Sequence, residues 1–141
     1  MLSTIFTFYI FIAMSLITKI HIYWLKGGLW PGINKQDLIN KVIGKGDMPG
    51  FGAYVVVIFG FILMAVVPLL LYFQIDLKIG DLPKYSLAFF ALIFFIRALA
   101  LFLPNIEKGV AKEFLELNKK IYAPLCFSLG VAFSYLYFYY V

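Results

Sequence analysis

The stretch FGAYVVVIFGFILMAVVPLLLYF, Phe51 to Phe73, contains no charged side chain. Coiled as a helix it is long enough to cross the roughly 30 Å of a bilayer's hydrocarbon, which takes about 20 residues. Three further blocks share its character: Leu2 to Leu25, Tyr85 to Leu103 and Ile121 to Val141. Hydrophobic residues make up 64% of the 141-residue chain and charged residues only 13%. A water-soluble domain of this size has too little interior to hide so much apolar surface. The expected fold is therefore all-α: an integral membrane four-helix bundle, one domain over residues 1–141, with helices over about 2–25, 51–73, 85–103 and 121–140. Backbone polar groups in hydrocarbon must be satisfied within a helix, which is why most of the charge falls between the blocks.

The first block has the length of a secretory signal. No Lys or Arg precedes Lys19, however, and no small-x-small cleavage site precedes His21, so a retained helix is expected. The single cysteine, Cys126, excludes an internal disulfide, a CxxC pair and a thiolate metal cluster.

The net charge of +5 follows the connections rather than a nucleic-acid surface. Lys26, Lys35, Lys41 and Lys45 lie in the first connection, and Lys108, Lys112, Lys119 and Lys120 in the third. The middle one carries only Lys78 and Lys84. The positive-inside rule then puts the first and third connections in the cytoplasm and both termini outside, in the inner (plasma) membrane.

Within the first connection, NKQDLINKVIG (Asn34 to Gly44) sets Leu38, Ile39, Val42 and Ile43 on one helical face, with Asn34 as cap and Gly44 as stop. In the third, Asn105 is expected to cap a second helix, whose apolar face is Ile106, Val110, Phe114 and Leu117. Both read as short amphipathic helices at the cytoplasmic interface. The outer connection, Ile75 to Tyr85, holds Gly80, Asp81 and Pro83 as turn signals and has no room for a binding domain. The tyrosines of FSYLYFYYV fit an outer aromatic belt. Gly60, Ala65, Ser128, Gly130 and Ser134 are candidates for close helix contact.

Arg97 is the most informative single residue. It stands seven positions before Pro104, about 10 Å along a helix from the cytoplasmic end. Facing lipid it would cost about 3 to 10 kcal/mol, so it either points into the bundle or snorkels to the headgroups. No acidic residue lies in any of the four blocks. Its partners must then be tyrosine oxygens, backbone carbonyls or an anionic ligand. The inferred topology places His21, Tyr23, Tyr54, Tyr122 and Cys126 in the same leaflet. With Arg97 they form the expected ligand-binding set, and Trp24, Gly27, Gly28 and Trp30 the expected interfacial exit and anchor. One histidine supplies neither a metal site nor bis-histidine haem, so no metal and no cofactor is expected. No catalytic residue is assigned.

Taken together, HIYWLKGGLWPG (His21 to Gly32), Arg97 in FIRAL, and FLELNKKIYAPLC (Phe114 to Cys126) resemble the bacterial family catalogued as domain of unknown function 3995. Its pattern, His-x-x-Trp-x-x-Gly-Gly-x-Trp after the first helix and Tyr-x-Pro-Leu-Cys opening the last, falls on His21, Trp24, Gly27, Gly28, Trp30, Tyr122, Pro124, Leu125 and Cys126. The resemblance also points to Arg97. It implies an acidic residue at position 118 and a more polar stretch at position 100, where this chain has Asn118 and Ala100. It implies architecture and no activity. Three functions follow from the residues: a non-enzymatic protein binding an anionic lipid or amphiphile near Arg97, an enzyme acting on a lipid or isoprenoid-like substrate, or a subunit, assembly or immunity factor. The expected partners are membrane lipids, a second copy or another membrane protein, and no nucleic acid.

Overall fold

The computed structural model describes residues 1–141, all-helical and without a strand. Four helices are long and apolar enough to cross a membrane, beginning with α1 (Leu2–Leu25). After it comes the short α2 (Lys35–Val42), then α3 (Phe51–Tyr72) and α4 (Leu82–Leu99), which tightens into a 3-10 turn at Ala100–Phe102. The last span is composite: α5 (Lys112–Leu117), a π-helical segment (Asn118–Tyr122) and α6 (Ala123–Tyr140) run as one rod. Outward faces carry Val56, Phe59, Phe89 and Ile96, each at least 60% exposed. Such a surface is consistent with a multi-pass membrane protein and not with one surrounded by water.

Two hairpins build the bundle, α1 packing on α3 and α4 on α6, and they are joined chiefly along α1 and α6. Phe133 lies at the centre, fully buried, stacked on Phe94 at 5.7 Å and edge-on to Phe90 at 5.5 Å. Ile10, Met14, Leu87, Leu129 and Leu136 close around it. Gly130 meets the expectation of close helix contact, because a Cβ there would run into the Phe95 ring. Ala65 is buried in the core and Ser128 bonds Tyr9 across α1 and α6, but Gly60 faces open space and brings no helix near.

α2 forms as its sequence dictates. The Asn34 side chain accepts from the Asp37 N–H at 2.9 Å, and the Asp37 carboxylate reaches back to the Ile33 N–H at 2.9 Å, so two otherwise unpaired donors are satisfied reciprocally. Gly44, at φ 83°, ends it.

Two expectations need correction. α4 starts at Leu82 rather than Tyr85, because Pro83 has no N–H to lose in a first turn and its fixed φ suits one. The surface helix expected from Asn105 does not start there. Asn105 adopts φ 70°, outside the extended conformation of a helix cap, and Gly109 adopts φ 75°, so residues 103–110 form turns. The helix begins at Lys112, once the Ala111 N–H has bonded the Gly44 carbonyl at 2.7 Å and tied α5 to the end of α2. Phe114 is buried beside Gly44 and continues the contact.

Candidate functional site

Arg97 lies in the last turn of α4, half-buried and turned toward the composite span. One guanidinium N–H donates to the Asn118 side-chain oxygen at 3.0 Å, and the guanidinium carbon stands 5.7 Å from the centre of the Phe114 ring. Asn118 is 2% exposed, in the π-helical segment. A π turn shifts the register of side chains along a helix, and such turns recur at functional sites. Here the segment places Asn118 on Arg97 and, four residues on, Tyr122 on α2, its hydroxyl donating to the Lys41 carbonyl at 2.9 Å.

The charge on Arg97 has no counter-ion in the protein. The two ion pairs are Asp37 with Lys41 at 2.8 Å and Asp81 with Lys84 at 2.7 Å, neither at Arg97. Of the five N–H donors on the guanidinium, one is used by a neutral amide. Asp37 is engaged within the first connection: its carboxyl is held below the usual carboxylate range by the Lys41 ammonium and then by the Ile33 N–H. Lys41 also donates to the Pro31 carbonyl at 3.2 Å.

A family model described as protein of unknown function, DUF3995, matches residues 14–133. The chain belongs to the DUF3995 family. No curated protein and no solved structure matches it. The stretch matched by the DUF3995 model takes in every candidate site residue and leaves out the beginning of α1 and the end of α6.

The structure divides the ligand-binding set that the sequence gathers into one pocket. Tyr122 shares the Phe114 ring with Arg97, its own ring centre 5.8 Å from that of Phe114, and Cys126 follows one turn further along α6. His21, Tyr23 and Tyr54 belong instead to the exit of α1. The His21 Nδ1–H donates to the Ile17 carbonyl at 2.8 Å, and the ring packs edge-on to Trp24 at 5.0 Å and to Phe61 of α3 at 4.9 Å. Tyr54, buried, lines a groove with Trp24, Met48 and Pro49. Arg97 lines neither this groove nor the one bounded by Trp24, Trp30, Lys41 and Tyr122.

At the DUF3995 segment after α1, Gly27 takes φ 88° and the Gly27 and Gly28 N–H groups bond back to Trp24 and Tyr23 carbonyls, each at 2.9 Å. The Tyr23 ring lies against Gly28, where any Cβ would collide with it. The Trp30 carbonyl accepts from the Trp24 indole at 2.7 Å, and the Trp30 N–H donates to the Tyr23 hydroxyl at 3.4 Å. These bonds hold Trp30 in place while the residue as a whole stays 65% exposed.

Neither Asn118 nor Lys19 is read from the sequence as a site residue. Position 118 stands out only as one where the resemblance implies an acid, and the bond of Asn118 to Arg97 depends on the π register. Lys19 is a cation within α1, and its outward direction depends on which face of α1 the other helices cover.

Proposed function

We propose that this DUF3995 protein is a non-enzymatic, multi-pass protein of the inner (plasma) membrane that binds an anionic lipid or small amphiphile beside Arg97. The observation that carries the reading is the half-buried guanidinium with a neutral amide as its only hydrogen-bond partner. A cation left that way in low dielectric is stabilised by any phosphate or carboxylate able to reach its remaining donors. The exposed Lys119 and Lys120, on the segment that carries Asn118, favour the same sign of ligand.

The lysine-rich end, with α2 and α5, is the cytoplasmic one under the positive-inside rule, which leaves both termini outside. The enzyme reading loses support from the position of His21. An acid or base packed between Trp24 and Phe61, with no contact to Arg97, does not share a reaction centre with an anion held by that arginine.

The test is native mass spectrometry of protein released from mild detergent. Wild type should carry an anionic adduct, absent from Arg97→Leu and retained in Arg97→Lys. An identical adduct on Arg97→Leu would remove the basis of the proposal.

A further inference from the structure

Lys19 is the second cation inside an apolar span. It stands six residues before Leu25, about 9 Å along the helix from its end. Its side chain is exposed on the outward face of α1, and neither ion pair involves it. Its flexible stem lets the ammonium reach toward headgroup level while the methylenes stay among apolar neighbours. Beside it runs an open groove of about 660 Å³, lined by Leu16, Ile17, Lys19, Ile20, Tyr23 and Trp30. The surface inside the groove is wholly apolar, so the polar ends of Lys19, Tyr23 and Trp30 lie outside it.

The wall formed by Trp30 is built rather than incidental. Two side chains of α1 hold its backbone, Trp24 through the carbonyl and Tyr23 through the N–H, and Gly28 admits the Tyr23 ring beneath. The Trp30 indole N–H has no acceptor within the protein.

We infer that this groove binds one anionic phospholipid, an acyl chain lying along Leu16, Ile17 and Ile20 and the phosphate at the mouth of the groove, within reach of the Lys19 ammonium and the Trp30 indole N–H. The site is separate from Arg97, which lines no part of it. An interfacial tryptophan alone favours no headgroup charge. The unpaired ammonium beside the indole supplies the selectivity for an anion. Under this assignment each part of HIYWLKGGLWPG has a physical role, since the segment ends α1, turns the chain, and fixes an indole over a lipid groove.

Tryptophan quenching tests the assignment, with the whole protein in phosphatidylcholine vesicles that contain either chain-brominated phosphatidylglycerol or chain-brominated phosphatidylcholine. Brominated phosphatidylglycerol should quench at about fivefold lower mole fraction, the weight of one cation at an anionic headgroup. Lys19→Gln should bring the two lipids together, Lys19→Arg should keep them apart, and Trp30→Phe should abolish the selective component. Lys45→Gln removes an equal charge from an exposed loop at the same end and should leave the preference intact. Equal quenching in wild type would overturn the assignment. So would a preference that survives Lys19→Gln or Trp30→Phe, or one that falls as far in Lys45→Gln as in Lys19→Gln. A phospholipid held here would also appear as an adduct, so the Arg97 comparison by mass is made in the Lys19→Gln background, where only the Arg97 ligand remains, and the two proposals then fail separately.

Discussion

The two ends of the bundle are built on opposite plans. At the lysine-rich end, α2, α5, the π segment and the exit of α1 are stitched together by Tyr122 to Lys41, Lys41 to Pro31, Ala111 to Gly44 and Trp24 to Trp30. At the other end, residues 73–81 turn through Gln74, Lys78 and Gly80 at positive φ, and Asp81 and Lys84 pair on the surface. One end is packed and carries cations without counter-ions close by, and the other is an exposed turn. The contrast teaches that residue types alone do not set how an end is built, since both connections contain lysine, aspartate and glycine. What differs is how many side chains from separate elements converge.

Two glycines probe that contrast most strongly. Gly44 and Gly80 both adopt positive φ, at 83° and 64°. A Cβ on Gly44 would lie 2.7 Å from the Phe114 ring and from Val110, whereas one on Gly80 meets nothing. Gly44→Ala should cost about 3 kcal/mol, adding overpacking to left-handed strain, and Gly80→Ala about 1 kcal/mol from strain alone. Thermal unfolding in one detergent, followed by circular dichroism, measures both. Equal losses would mean that the α2–α5 contact contributes little.

Asn118 comes next in size. Asn118→Leu removes the bond to a charged donor and should cost about 1.5–3 kcal/mol in the same assay. Asn118→Asp supplies the missing counter-ion, so it should weaken or abolish the anionic adduct while leaving Arg97 in place. An undiminished adduct in Asn118→Asp would show that the ligand does not depend on the free charge of the guanidinium.

Much of the fold was legible because the physics of a bilayer is severe. A chain with four uncharged or nearly uncharged blocks has few options, and α1 and α3 begin and end within a residue of where composition places them. The cap of α2 was legible for a local reason, since Asn34, Asp37 and Gly44 each act on neighbours in sequence. The third connection was less so. Its periodic Ile106, Val110, Phe114 and Leu117 suit a helix from Asn105, but tertiary bonding at Ala111 and Gly44 and the glycine at 109 decide otherwise. Of the site, the prominence of Arg97 could be read from its cost in lipid, while the company it keeps could not. Whether His21 or Asn118 faces it depends on helix rotation, and a five-residue π turn changes that rotation without a sequence signal.

Smaller effects separate packing from charge within the lysine-rich end. Tyr122→Phe keeps the ring beside Phe114 and deletes only the bond to the Lys41 carbonyl, so it should cost about 1 kcal/mol, read as faster amide exchange in α2. The least effect belongs to Asp37. Its carboxyl titrates below the ordinary carboxylate value when folded, because Lys41 and the Ile33 N–H hold the ionised form. The stabilisation is therefore fully present above the unfolded pKa of about 4 and is lost as pH falls through the lower folded value. Amide exchange across α2 should speed up only below about pH 4 relative to α3, and Asp37→Asn should erase that pH dependence. If α2 in Asp37→Asn still loosened with acid as in wild type, the Asp37–Lys41 pair would not be what steadies α2 within the first connection.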